Sequence, residues 1–233
     1  MRIPIGLGLQ ALNTADSAKA HAWRNDWRII RWCRQRDVIS DVDQAAWYER
    51  QSKDPSIQMY GVWLKTGGGS ELVGVAGLTS LDWFNRRAEF SLYIDPERQR
   101  QGLGRGALAV LLAHAFTNLA LEQVWGEVFD GNPALNLFAQ QGFQVDGKRR
   151  GWYWKDGKAH DAHLISITRS EWHGHNARAA VSADPRHAGG DAGATETESR
   201  TANRSGAETR GRRKPRLSTV VPRDEPQNES VSP

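Results

Sequence analysis

The chain has 233 residues and a net charge of +4, enough for one ordinary domain with an extension or for two small domains. Its single cysteine, Cys33, excludes an intramolecular disulfide and a cysteine-built zinc site. No apolar run reaches the roughly 18 residues of a membrane span, and the early apolar stretch is broken by Gln10, Asn13 and Asp16 too soon for a secretory signal, so a soluble, cytoplasmic protein is expected.

Residues 3–12 read as a first strand, ended by Asn13-Thr14-Ala15-Asp16, which can cap a helix through Ala18, Ala20 and Trp23. A second short helix is expected at 27–34. Ser40, with an acid three residues on at Asp43, has the form of a capping box and opens a third helix through Trp47. The period then changes to two. Residues 58–65 and 72–81 form strands around the turn Gly67-Gly68-Gly69, and a third strand covers 87–94 until Asp95-Pro96 stops it. Leu108, Leu111, Leu112, Ala115 and Leu119 lie at helical spacing, which predicts a helix over 103–119. A strand at 123–129, a short helix at 133–141 and strands at 143–154 and 160–168, joined by an Asp156-Gly157 turn, complete the order. Such an order predicts a mixed α/β sheet flanked by helices.

All ten tryptophans, four tyrosines and six phenylalanines lie at or before Trp172. A segment without aromatics cannot easily bury enough apolar surface to offset its ordering entropy. The reading is therefore one domain over 1–172 and a disordered tail over 173–233. The tail carries ten Lys/Arg and eight Asp/Glu, so the excess positive charge is shared about equally between the two parts. Its cluster Arg210, Arg212, Arg213, Lys214 and Arg216 could touch a polyanion, but a solvated linker is the simpler expectation.

Chemistry concentrates at Gln99-Arg100-Gln101-Gly102-Leu103-Gly104-Arg105-Gly106, where a strand gives way to an apolar helix. Glycines allow close approach of the backbone, and a helix start offers unpaired amides and partial positive charge to phosphate oxygens. The segment lacks the Gly-Lys-Ser/Thr of a P-loop. It also follows several strands, whereas a dinucleotide fold places its Gly-rich turn after the first.

This loop resembles the Gln/Arg-x-x-Gly-x-Gly/Ala pyrophosphate loop of GNAT N-acetyltransferases, with Gln99, Gly102 and Gly104 in the three places. The strand Ala88 to Pro96, the segment Asn132-Pro133-Ala134-Leu135-Asn136-Leu137-Phe138 with Gly142-Phe143, and Trp23-Arg24-Asn25 are similar to the same family. The resemblance covers about 5–172 and implies a mostly antiparallel GNAT sheet and acetyl-CoA as acyl donor. It implies that Leu92 and Ile94 offer backbone groups to the pantetheine and thioester. By the same resemblance Gln99, Gln101, Gly102, Leu103, Gly104, Arg105 and Gly106 hold the pyrophosphate, and Asn132, Asn136 and Phe138 lie along the pantetheine.

An attacking amine must lose a proton. Glu89 on the strand before the loop is the first candidate base and Glu127 the second; as a bystander, Glu89 would pair with Arg86 or Arg87. Phe138 stands where many relatives have a tyrosine that protonates the departing thiolate, so Tyr93 or Tyr153 is the candidate donor, or the thiolate leaves unaided. His160, Asp161 and His163 share a strand but are expected to bind no metal. The acceptor is expected to be an amino-sugar nucleotide, then a protein N-terminus, then a polyamine, on a monomer or homodimer. A non-catalytic module recruited to nucleic acid by the basic cluster is the alternative.

Overall fold

A computed structural model describes residues 6–183. Its first part is a strand β1 (Leu7–Ala11) followed by three short helices, α1 (Thr14–Arg24), α2 (Trp27–Ile30) and α3 (Asp41–Gln51). Asn13 and Asp16 form a reciprocal capping box at the start of α1, with bonds of 2.9 and 3.0 Å. Ser40 caps α3 through the Asp43 amide at 3.1 Å. Strands β2 (Gln58–Thr66), β3 (Gly69–Asp82) and β4 (Arg87–Ile94) follow as a meander. Then come α4 (Leu103–Ala113), β5 (Gln123–Phe129), α5 (Ala134–Gln140), β6 (Gln144–Lys155), β7 (Lys158–Thr168) and α6 (Arg169–Ala183).

The strands form a seven-stranded sheet in the order β1-β2-β3-β4-β5-β7-β6. Every adjacent pair is antiparallel except β4 and β5, which run parallel. Along β4 the two-residue period sorts side chains by face. Ala88, Phe90, Leu92 and Ile94 join the main core under α4, with Leu108, Leu111 and Val124. Tyr93 lies on the opposite face against two smaller clusters, one around Ala20, Met59 and Val75, the other around Trp23, Ile29 and Leu72. The interior strand β3 is buried on both faces, which accounts for its nearly unbroken apolar run.

Three elements differ from expectation. The helix expected over 27–34 ends at Ile30, and residues 31–40 run as turns and loop. The helix predicted over 103–119 is α-helical only to Ala113 and continues as a π-type turn, His114–Asn118. The wider turn lets Ala115 and Phe116, neighbours in sequence, both face the core. At the other end the expected boundary at 172 falls inside α6, because Trp172 lies over Phe116 with ring centroids 5.4 Å apart and the helix runs on to Ala183. The rest of the expected tail, with its basic cluster, and the first residues of the expected first strand lie outside the described residues. No helix among the described residues is long and apolar enough to cross a membrane.

Candidate active site

The pairing of β4 with β5 stops after three residue pairs, Arg87 with Gln123, Ala88 with Val124 and Glu89 with Trp125. Beyond Glu89 the strands part, and the edge of β4 over residues 90–94 has no strand partner on that side among the described residues. Alternate N–H and C=O groups therefore open into the gap, where an extended ligand bearing amides can satisfy them. Gly126 faces this gap, and the ring of Phe90 fills the space its missing side chain leaves: a Cβ there would lie 2.5 Å from Phe90 Cε1.

At the end of β4 the Gln99 side-chain amide donates back to the Ile94 carbonyl at 3.3 Å, fastening the loop to the strand. Arg98 is fixed by Glu71 at 2.6 Å and also donates to Gln101 at 3.2 Å. Gly102 then adopts φ 80°, a conformation that side chains disfavour, as the N-cap of α4. The first bond inside the helix runs from the Gly106 amide to the Gly102 carbonyl at 3.1 Å. The amides of Leu103, Gly104 and Arg105 therefore have no intrahelical acceptor, and no side chain caps them. They point outward at the positive end of the helix dipole. Arg100 and Arg105 enter no ion pair among the described residues. This surface fits a pyrophosphate.

Two buried carboxylates stand beside the gap. Glu89, only 5% exposed, accepts from the Arg34 guanidinium at 2.5 Å. Arg86 and Arg87, its partners in the bystander alternative, bind Glu122 and Asp82 instead. Burial raises the Glu89 pKa; Arg34 opposes the rise and Glu127 adds to it. Glu127, its side chain 7% exposed, pairs with Arg149 and accepts the Tyr153 hydroxyl. Burial and the bond to Glu127 raise the Tyr153 pKa.

A cleft of about 260 Å³ runs along these groups. Glu89, Glu127, Tyr93, Leu92, Asn132 and Phe138 all line it, so the structure brings the three first catalytic candidates together with three of the cofactor-binding candidates. Trp32, one of the tryptophans that sequence allowed at the acceptor pocket, forms another wall with Cys33 and Arg34 from the loop after α2, and Arg34 was not identified from sequence. Asn132 is partly committed, since its side-chain oxygen accepts the Ala134 amide at 3.0 Å just ahead of α5. Asn136 is exposed on α5 and is not part of the cleft wall. Phe138 lacks a hydroxyl and packs edge-on to Phe90 with centroids 5.0 Å apart. Tyr93 is poorly suited as proton donor to a thiolate: burial pushes its pKa up to about 12, well above a thiol near 8.5. His163 bonds Asp130 at 2.9 Å, and His160 packs edge-on against Phe129.

The Trp23-Arg24-Asn25 motif proves chiefly architectural. Trp23 is core, Asn25 bonds both the amide and the carbonyl of Ile39 at 2.9 Å, and Arg24 donates to Gln35 at 2.9 Å while lining the cleft.

Known proteins are similar to this chain in sequence and in fold. A spermidine N(1)-acetyltransferase from Vibrio cholerae is 25% identical over 167 residues, spanning 71% of this chain and 95% of that protein. An uncharacterized N-acetyltransferase of Bacillus subtilis, YoaA, is 32% identical over 100 residues, or 42% of this chain; the match covers 56% of that relative's length. The crystal structure of the spermidine N-acetyltransferase from Vibrio cholerae in complex with CoA and spermine superimposes with a TM-score of 0.67 at 25% identity, covering 71% of this chain and 97% of that one. The model of the acetyltransferase (GNAT) domain matches residues 7–144. With the split strands, the amide-lined helix start and more than half of its length matched, the chain belongs to the GNAT family of acetyl-CoA-dependent N-acetyltransferases.

Proposed function

We propose that the chain transfers the acetyl group of acetyl-CoA to a primary amine of a polyamine, with Glu89 as the base. The observation that carries the reading is the position of Glu89: buried, lining the cleft, and at the last residue pair before the strands part. Amine nitrogen attacks the thioester carbon, the carbon–sulfur bond breaks and CoA leaves as thiolate. Backbone N–H groups on the free edge of β4 are suited to polarise the carbonyl. Glu89 takes the proton from the attacking nitrogen, and its raised pKa brings it nearer the range where a base works best. The departing thiolate leaves unaided, since a thiol with a pKa of about 8.5 is a tolerable leaving group; the Tyr153 hydroxyl is held on Glu127.

A polyamine, placed behind an amino-sugar nucleotide on sequence grounds, is the acceptor the relatives support. The cleft is compatible with it: Trp32, Trp47 and Phe129 line it together with two carboxylates, a mix of residue types that suits a cationic chain. One observation favours a second reading. An adjoining cavity of about 230 Å³ is lined by Arg24 and Arg50, neither in an ion pair with a carboxylate among the described residues. An acceptor amine that also carries an anionic group would use them. The basic cluster that motivated a nucleic-acid role lies outside the described residues.

Thiol release from acetyl-CoA, measured with spermidine, spermine, a peptide N-terminus and an amino-sugar nucleotide, separates these readings. Preferential turnover of the polyamines is expected; selective turnover of an anionic acceptor, lost in Arg24→Ala, would replace the main reading with the second. Glu89→Gln should lower turnover by about 100-fold or more while acetyl-CoA affinity holds. The sign of the pH dependence follows from burial. A carboxyl whose pKa is raised is protonated over more of the acid range, so kcat/KM should fall at a pH above the ordinary carboxylate range. That limb should vanish in Glu89→Gln.

A further inference from the structure

The cleft wall after α2 has no helix or strand to hold it between Ile30 and Asp41, yet it carries Trp32, Cys33 and Arg34. Its far half is tied to α1, through His21 and Asn25 on Ile39 and Arg24 on Gln35. Its near half is held from another direction. The Lys155 ammonium, at the end of β6, donates to the carbonyls of Ile30, Cys33 and Gln35, the last two at 2.9 and 3.0 Å. An ammonium has three donors, and all three are used on carbonyls that bracket Arg34. The same ammonium lies 5.9 Å from the ring of Phe129, which lines the cleft. At its own end the hairpin is fixed by the pairing of Lys155 with Lys158 and by His160, whose ring nitrogen lies 3.1 Å from the Lys155 carbonyl.

We infer that Lys155 is a positioning residue for the acceptor side of the reaction: it clamps the loop over residues 30–35 so that Arg34 meets Glu89 and the cleft keeps its wall. It touches neither substrate nor the reacting atoms. This builds on the reading of Glu89 as the base. The groups facing Glu89 are Arg34 from the loop and Glu127 from β5, with Tyr153 of β6 beside Arg34 and Arg149 beyond Glu127. Arg34 is the cation among them that favours the ionised form of Glu89. Releasing the loop removes that influence and leaves burial and Glu127, both of which raise the Glu89 pKa.

The test compares Lys155→Met, Lys155→Arg, Arg34→Ala and the double variant Arg34→Ala with Lys155→Met in the full chain. In Lys155→Met, amide exchange over residues 30–35 should accelerate and the KM for the amine should rise about tenfold or more. The acid limb of kcat/KM should move to higher pH, and acetyl-CoA affinity measured by calorimetry should stay unchanged. Arg34→Ala should show the same pH displacement, and adding Lys155→Met to it should displace the limb no further. Lys155→Arg, which keeps donors for the carbonyls, should recover most of the loss. A folded Lys155→Met protein with parental loop exchange, amine KM and acid limb overturns the inference. So does a Lys155→Arg protein as impaired as Lys155→Met. Faster loop exchange with a raised amine KM supports the clamp even where Glu89→Gln retains turnover, so failure of the clamp and failure of the base are distinguishable.

Discussion

Phe90 and Gly126 are the pair on which the width of the strand gap depends. The Phe90 ring is held edge-on by Phe138 and Phe143, at 5.0 and 5.2 Å between centroids, and a third side meets the bare backbone of Gly126. A methyl group at 126 would lie 2.5 Å from Cε1. With the ring boxed in, Gly126→Ala overpacks the site, at a cost of about 1–3 kcal/mol. The expected result is a melting midpoint lower by several degrees, at about 2–4 °C per kcal/mol for a domain of this size, together with weaker acetyl-CoA binding. Differential scanning calorimetry with and without acetyl-CoA checks both. Residues of this kind mark the limit of legibility. Glu89 was identifiable because its place on the strand before a glycine-rich loop is local information. Its partner Arg34 lies 55 positions away and Lys155 reaches carbonyls 120 or more positions away. A single sequence contains no local pattern for such pairs.

At the scale of elements the turn into α4 was the most readable feature, because its chemistry belongs to the backbone. Side chains there do structural work: Gln99 latches onto Ile94, and Arg98 is spent on Glu71. Gly104 separates ligand binding from folding. A Cβ there would make ordinary contacts of 3.6 Å with Ile94 and Leu137, so Gly104→Ala should fold and melt much as the parent does. Gly104→Glu places an anion among amides suited to phosphate and should abolish measurable acetyl-CoA binding at concentrations that saturate the parent. Calorimetric titration of both variants decides; a folded Gly104→Glu protein with parental affinity would remove the loop from the donor site. The helix α6 was missed for a physical reason. Among its residues up to Arg178, Trp172 is the one large apolar side chain, so it has almost no apolar period to detect. A different signal was available. Thr168 and Glu171 cap each other, with the Thr168 amide on the Glu171 carboxylate at 2.8 Å and the Glu171 amide on the Thr168 hydroxyl at 3.3 Å, the Thr-x-x-Glu form of a capping box.

For the whole molecule, composition placed the end of the domain at the last aromatic, and helix α6 runs past it to Ala183. Trp172 packs against the main core, and the ring of His175 lies over Gly142, the left-handed residue that ends α5 at φ 94°. A chain cut after Trp172 keeps the indole but loses the helix that holds it. Its melting midpoint should fall by roughly 2–4 °C or more, equivalent to ~1 kcal/mol or above. A cut after Ala183 should leave the midpoint and acetyl transfer unchanged. Thermal melts of the two truncations against the full chain settle where the domain ends.

The early parting of β4 from β5 has a thermodynamic consequence. A sheet that stops pairing after three residues leaves backbone donors and acceptors whose natural partner is another extended chain. The acyl donor's amide-bearing arm can act as that partner, completing a sheet that the polypeptide leaves unfinished. Folding and donor binding are then linked: any donor that binds only the folded chain stabilises it by RT ln(1 + [L]/Kd), about 2.7 kcal/mol at 100 times Kd. The supply of acetyl-CoA around the enzyme therefore helps set how much of it stays folded, as well as how fast it turns over.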